Sequence, residues 1–294
     1  DERAALFDIQ NKTLLFSKSL YEKSYPASIT KIMTALVAME HADMDEVVTI
    51  TASDVALSAD SQVCGLAEGD QIQMSELFHA LLVYSANDAA MAIARTVGDG
   101  SVDTFVQMMN ETAQSLGMTG THFVNPHGLH NEDHYTCAHD MALIAKAAFQ
   151  IPLFREITKT VEYKIPKTKY MKEDRWLVNH QKMLYEDGEF SYSDCDGGKT
   201  GFTDEAWNTL VTYADRDGKT LVCVELKVNG SWKTFNESAE LLNYGFDNFR
   251  HEEMEAGILN TTLGELAGVC RFGKAALLNQ KEMNQTAIEG SNTV

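Results

Sequence analysis

Asp196-Gly-Gly-Lys-Thr-Gly-Phe-Thr203 is the stretch on which the reading of this chain turns. Gly197 and Gly198 permit close backbone approach, and Lys199-Thr200-Gly201 begins a predicted strand. An isolated Lys-Thr-Gly is expected well below once by chance in 294 residues of average composition. Downstream, 207–214 and 220–228 are β-rich and joined through Asp217-Gly218, a strong hairpin dipeptide. Residues 237–249 are predicted helical, with Leu241, Leu242 and Phe246 on one side.

Toward the N-terminus, the apolar runs 4–9 and 13–16 flank Gln10-Asn11-Lys12 and read as a β-hairpin. After Pro26, Ile29, Ile32, Met33, Leu36 and Val37 recur at helical spacing, which predicts a helix over 28–40 with Ser28 in its first turn. The middle of the chain reads as mostly helical. Ser75 is placed to cap a helix carrying Leu77, Phe78, Leu81 and Leu82. Asn87-Asp88 starts another that ends at Gly98, a third spans 103–116 and stops at Gly117, and a short one covers 140–149 before Pro152. Strands at both chain ends and helices between them predict an α+β domain, with one antiparallel sheet formed from both chain ends and a mostly helical region packed on it. From His251 the patterning weakens, and 289–294 is polar and expected to fray.

Two further short motifs precede Lys199 in the chain. Ser28-Ile-Thr-Lys31 puts a hydroxyl and an amine at i and i+3, on one helical face. A serine needs a base to be nucleophilic at neutral pH, and a lysine can serve if desolvation and a second cation lower its pKa. Alone, such a Ser-x-x-Lys is expected about once by chance, and the plain alternative is a capping serine beside a solvated lysine. Ser85-Ala-Asn87 lies between two predicted helices. Ser85 can relay a proton, and Asn87 can hold the lysine and bind a substrate amide; the alternative is a linking turn. Lys199 supplies the second cation, Thr200 can bind a carboxylate, and Gly201 leaves room for a substrate along the strand edge. The backbone N–H groups of Ser28 and Phe202 would form an oxyanion hole.

Composition is consistent with a globular protein of this kind. The chain is 44% hydrophobic and 23% charged, with a formal net charge of -19. That balance argues against nonspecific nucleic-acid binding and against a polybasic membrane patch. No stretch approaches the ~20 apolar residues that span a bilayer. The first residue is Asp1, and no signal peptide is visible. Cys64, Cys137, Cys195, Cys223 and Cys270 form no Cys-x-x-Cys pair, so a zinc or redox site is not indicated, and free thiols are favoured over disulfides. His122, His127, His130, His134 and His139 match no zinc spacing and read as structural or solvated; no metal and no cofactor is expected.

The ordered motifs are similar to those of penicillin-binding proteins and class A β-lactamases. Five blocks narrow this: Pro-Ala-Ser-Ile-Thr-Lys-Ile-Met-Thr-Ala-Leu36, Tyr-Ser-Ala-Asn-Asp-Ala-Ala90, Phe-Val-Asn-Pro-His-Gly-Leu129, Gly-Gly-Lys-Thr-Gly-Phe-Thr-Asp-Glu-Ala206 and Leu-Leu-Asn-Tyr-Gly-Phe246. Over about residues 4–249 the chain resembles the low-molecular-mass serine-type D-alanyl-D-alanine carboxypeptidases of the peptidase S11 type. The resemblance implies a β-lactamase/transpeptidase-like fold and removal of the terminal D-alanine from peptidoglycan stem peptides through an acyl-enzyme, with β-lactams acylating the same serine. It implies Ser28 as nucleophile, Lys31 as base, Ser85 and Asn87 as the second motif, and Lys199, Thr200, Gly201 and Phe202 as substrate-binding residues. It places the protein in the bacterial cell envelope, secreted or held at the membrane by a part not included in 1–294.

Three departures accompany the resemblance. Thr234 stands where some relatives carry an arginine that helps bind the substrate carboxylate, with Lys233 adjacent, so that Lys199, Thr200 and Lys233 are the candidates for that task. Trp207 replaces a usual glycine and is expected to reshape one wall of the site. Many relatives continue into a β-rich second domain and an amphipathic anchor; 251–294 is too short for both, so 1–250 is read as the catalytic domain and 251–294 as a C-terminal extension, a truncated or minimal arrangement. A β-lactamase on this fold would need an added general base. Glu132 is the nearest candidate, although its Asn-Glu-Asp context does not resemble the loop that carries it. A catalytically silent peptidoglycan-binding protein is the remaining alternative, and it would not need the full motif set.

Overall fold

A computed structural model describes residues 2–59 and 61–250, and the extension 251–294 lies outside the described residues. The compact unit that holds the motifs ends at Asn248. The N-terminal hairpin forms as the sequence predicts, from β1 (Arg3–Asp8) and β2 (Thr13–Lys18). A left-handed Ala27 (φ 51°) then turns the chain into a single 3-10 turn, Ala27–Thr30, and only at Lys31 does helix α1 (Lys31–His41) begin. This corrects the expectation of one α-helix from Ser28. The difference has a chemical consequence, because at three residues per turn i and i+3 are eclipsed.

The helical region follows. The short hairpin β3 (Val47–Thr49) and β4 (Gln71–Gln73) leads into α2 (Met74–Leu82), α3 (Asn87–Val97), α4 (Val102–Ser115), α5 (Ala138–Phe149) and α6 (Pro152–Lys159). The cap of α2 is Gln73, not Ser75. Gln73 leaves β4 extended, and Glu76 reaches back to its N–H at 3.1 Å, a capping box. Helix α6 starts with proline at its first turn and was hidden from a periodicity reading by its eight-residue length. A second hairpin, β5 (Glu162–Ile165) and β6 (Arg175–Val178), precedes the long strands β7 (Cys195–Thr203), β8 (Trp207–Arg216) and β9 (Lys219–Val228). Asp217 and Gly218 are both left-handed, as a hairpin turn of the primed type requires. Helix α7 (Ser231–Asn248) starts six residues earlier than its sequence pattern suggests, because Thr234, Phe235, Ser238 and Leu242 bury one continuous stripe.

The sheet order is β2-β1-β9-β8-β7, antiparallel throughout, so the two chain ends meet at β1–β9 and β7 is left as an open edge. One face carries Ala5, Val211, Tyr213, Val222 and Val224 against the helical region, where Tyr213 stacks on Phe149 and donates to the Ala145 carbonyl at 2.9 Å. The other carries Leu6, Leu210, Leu221 and Cys223 against α7. Full burial of such side chains contributes about 1.5–3 kcal/mol each. Cys64, Cys137, Cys195 and Cys223 are free, in line with the reading of thiols, and Cys270 lies outside the described residues.

One carboxyl departs from this apolar scheme. Glu225, on the α7 face of β9, is 2% exposed and hydrogen-bonds with the hydroxyl of Ser238. Burial pushes its carboxyl up to about 8, above its ordinary 4.5. A raised folded-state value means that ionisation is penalised. The penalty is absent below the unfolded value, grows as pH rises between the two and is complete above about 8. Glu225→Gln is therefore expected to leave the thermal midpoint unchanged at pH 4 and to raise it at pH 8.5, by up to a few kcal/mol of stability. Calorimetry at the two pH values checks this; an equal effect at both would contradict it.

Candidate active site

The 3-10 turn brings Ser28 and Lys31 together. Lys31 Nζ donates to Ser28 Oγ at 2.9 Å, and also to Asn87 Oδ1 and the His127 carbonyl, each at 2.7 Å. All three protons of the ammonium are thus directed, at 0% exposure of the residue. Burial pushes Lys31 well below its ordinary value, and the nearby Lys199 cation pushes it further, while the Asp88 carboxylate opposes both. Ser28 itself is half-buried and faces a cavity of about 400 Å³.

The second and third motifs meet across that cavity. Lys199 Nζ donates to Ser85 Oγ and to the Thr200 carbonyl, each at 2.8 Å. Burial lowers Lys199 to about 7. Ser85 holds a left-handed backbone (φ 64°), which turns its hydroxyl between α2 and α3 toward β7. A non-glycine residue there stores strain of order 1–3 kcal/mol, a cost found where a side chain must be aimed. Asn87 is the first residue of α3, with Ala86 at the N-cap position. Two serines, 28 and 85, therefore line one cleft, each bonded to a lysine buried behind it.

Gly201 sets how closely β7 approaches Ser28. A Cβ there would stand 2.8 Å from the Ser28 backbone nitrogen and 2.5 Å from Thr209 Oγ1. The Thr209 hydroxyl in turn donates to the Pro26 carbonyl at 2.8 Å, fastening β8 to the segment before Ser28. Thr200, Gly201 and Phe202 all line the cavity, and Phe202 is 61% exposed at its rim. The cleft thus has a base beside a hydroxyl, a second hydroxyl–ammonium pair opposite, and an open strand edge. Such a set can carry an acyl transfer through a serine ester.

The structure unites all eight motif residues. It also supplies partners that the motifs did not announce. The block 123–129 carries no catalytic motif of its own, yet it shapes the site. Its Asn125 side chain accepts from Gly128 N at 2.7 Å and donates to the Leu129 carbonyl at 3.0 Å, which shapes the loop that offers the His127 carbonyl to Lys31. Thr30 and Thr34 bind the same loop, at His134 Nε2 and the Pro126 carbonyl. His180, Gln62 and Lys182 line the cavity as well. Burial first, then the Lys199 and Lys31 cations, lower His180 to about 4. These residues sit in segments without periodic signal, so only tertiary placement reveals them.

Other expectations resolve differently. Thr234 lines the cavity and donates to the Gly230 carbonyl at 3.0 Å. Lys233 does not line it; it pairs with Glu2 and Glu237, which removes it as a carboxylate ligand. Trp207 is left-handed (φ 57°), the conformation a glycine would take without cost, and its ring lies under Lys227 at 5.2 Å rather than in the cavity lining. Glu132 is absent from the lining too, and its carbonyl accepts from Lys23 at 3.2 Å. Among the histidines, His127 accepts from Leu129 N, and His139 lies 2.9 Å from Asp140. Among the described residues, no group of three or more His, Cys, Asp or Glu is arranged to hold a metal ion.

This architecture is that of the DD-peptidases. The crystal structure of the Streptomyces K15 DD-transpeptidase is similar with a TM-score of 0.77 at 31% identity, over 83% of this chain and 96% of that one. The D-alanyl-D-alanine carboxypeptidases DacF of Bacillus subtilis and DacC of Escherichia coli are 30% and 33% identical to it, each over 84% of this chain. The chain belongs to the Peptidase_S11 family, D-alanyl-D-alanine carboxypeptidase, which matches residues 2–230. It spans 62% and 61% of the length of those two relatives.

Gly128 tests the loop over Lys31. It is left-handed (φ 90°), and a Cβ would fall 1.9 Å from the Ala27 carbonyl oxygen, where only backbone could give way. Gly128→Ala is expected to cost on the order of 2–4 kcal/mol, since strain and displacement add. Urea denaturation measures it; a loss under half of 1 kcal/mol would refute the close approach.

Proposed function

We propose that this chain is a serine DD-carboxypeptidase that removes the terminal D-alanine from peptidoglycan stem peptides. The observation that carries the reading is the directed, desolvated Lys31 ammonium 2.9 Å from Ser28 Oγ, faced by the Ser85–Lys199 pair. Family membership and the carboxypeptidase names of the relatives support it.

In this reading Lys31 acts in its neutral amine form, which burial and the Lys199 cation favour, and takes the proton of Ser28 as Ser28 Oγ bonds to the carbonyl carbon of the penultimate D-alanine. The oxyanion sits between the N–H groups of Ser28 and Phe202. When the tetrahedral adduct collapses, the peptide bond breaks and the leaving amine takes a proton delivered through Ser85. Water then hydrolyses the Ser28 ester and restores the hydroxyl. Lys199 and Thr200 hold the substrate carboxylate, with Thr234 on the opposite wall in place of a cation. The peptide backbone lies along the open edge of β7, and Asn87 binds its amide. β-Lactams acylate Ser28 by the same attack, which opens the lactam ring without releasing a fragment. No cofactor takes part.

The catalytic domain in this proposal is 1–250, with 251–294 a C-terminal extension. The working place is the outer side of the bacterial cytoplasmic membrane, where the polymer lies. No helix among the described residues is long and apolar enough to cross a membrane, and attachment is assigned to a part not included in 1–294. A β-lactamase reading lacks support, because among the described residues no carboxylate lines the cavity to act as deacylating base.

Ser28→Ala is expected to abolish D-alanine release from a peptide ending in D-Ala-D-Ala and to remove the penicillin adduct seen by intact mass. Lys31→Arg keeps the charge but cannot surrender a proton, and acylation should fall by roughly 10²–10⁴-fold. Unchanged release in either variant sinks the assignment. Rapid turnover of penicillin by the unaltered protein would favour the β-lactamase instead. The lowered Lys199 has a separate signature. A carboxylate placed beside it raises its proton affinity, so substrate binding at pH 8 should take up a proton and KM should rise as pH climbs through 7. Calorimetric binding in buffers of different ionisation enthalpy reads that uptake.

A further inference from the structure

We infer that Asp88 is a positioning residue of this site, fixing the segment 62–66 and Asn87 against one another and holding a negative charge next to the asparagine that bonds Lys31. The inference rests on the proposed function.

The geometry is that of a clamp. Asp88 is 1% exposed. Its Oδ1 accepts from the backbone N–H groups of Cys64 at 3.1 Å and Ala89 at 3.0 Å; its Oδ2 accepts from Leu66 N at 2.9 Å and the Cys64 thiol at 3.7 Å. The neighbouring Asn87 N–H donates to the Gln62 carbonyl at 2.7 Å. From the other side Arg175, on β6, donates to the Gly65 carbonyl and to Asp70, each at 3.1 Å. The segment is thus held by α3 on one flank and by β6 on the other. Gln62 and Asn87, the two residues it ties together, both line the cavity, and Asn87 Oδ1 is a direct partner of Lys31. A shift of the carboxylate would move the amide that orients the base.

The charge matters independently of the bonds. The groups that face Lys31 are Lys199 from β7, His127 and His134 from the 120s loop, His180 from beyond β6, and Asp88 from α3. Cys64 and Arg175 stand around Asp88 itself. Burial pushes the three histidines to about 3, 3 and 4, so they are neutral at working pH. Burial and the Lys199 cation both drive the proton off Lys31, and Asp88 is the charge that opposes them. A base stripped of proton affinity would accept the Ser28 proton less readily. Burial and Lys199 therefore keep Lys31 neutral enough to act, and Asp88 keeps it basic enough to be useful.

The test reads the pH dependence of Ser28 acylation by penicillin, followed by intact mass. The rate should rise with pH as Lys31 loses its proton. In Asp88→Asn, and in Asp88→Ser, whose smaller side chain leaves room for a water to accept the freed N–H groups, the midpoint is expected to move down by about one pH unit while the plateau falls about tenfold. Cys64→Ala keeps the charge and should keep the midpoint. A midpoint at the unaltered protein's value in a folded neutral variant overturns the inference, whatever happens to the plateau. If both neutral variants fail to fold, Asp88→Glu decides: an unmoved midpoint supports the charge role, a moved one overturns it. Failure of the unaltered protein to form any Ser28 adduct would defeat the proposed function and the inference together, whereas a normal adduct with an unmoved midpoint defeats the inference alone.

Discussion

The structure depends on keeping one lysine ammonium out of water. A buried cation is tolerated only if its protons are bonded and its charge is balanced or given up. Lys31 meets the first condition through a serine, an asparagine and a backbone carbonyl that come from three separate parts of the chain. Each of those partners needs its own scaffold. The serine needs the 3-10 turn behind left-handed Ala27, the asparagine needs the start of α3, and the carbonyl needs the loop that Gly128 lets pass close to Ala27. The helical region can thus be understood as the frame around a single side chain, and the sheet as the wall that closes it.

Much of this was legible before any coordinates. The Asp217-Gly218 turn, the N-terminal hairpin and the apolar stripe of α1 are local signals, and they placed the sheet and the first helix within a few residues. The three motifs were legible because their rarity and order compensate for their shortness. What could not be read was local structure decided by distant contacts. Lys31 begins a helix three residues later than periodicity suggests because the preceding turn is fastened to Thr209 and to the 120s loop. Strands of three or four residues, such as β3 and β5, have too little length for alternation to show. His180 and Gln62 reach the cavity from irregular segments. The exclusion of Lys233 depended on Glu2, a partner at the other end of the chain.

Charge is distributed against the average. The chain as a whole carries -19, yet the cavity is lined by lysine, amide and hydroxyl groups, with Lys31 and Lys199 buried in its wall. The acidic surface keeps the molecule soluble, while the low-dielectric cleft concentrates positive potential at one place. The neutral Thr234 stands at one wall, so the positive potential there comes from the cations elsewhere in the cleft.

The open edge of β7 has a cost of its own. A strand whose outer N–H and C=O groups are unpaired will pair with any extended chain of suitable shape, including a second copy of the protein or an unfolded neighbour. In the proposed function the edge stays uncovered, because the substrate backbone pairs along it. The register of β7 shifts between Cys195 and Gly198, and only the run from Gly198 to Thr203 is left regular. With Phe202 exposed on that run, the edge that the proposed function gives to substrate is also open to self-association in concentrated solution. An occupant of the cleft would then protect the protein from its own kind.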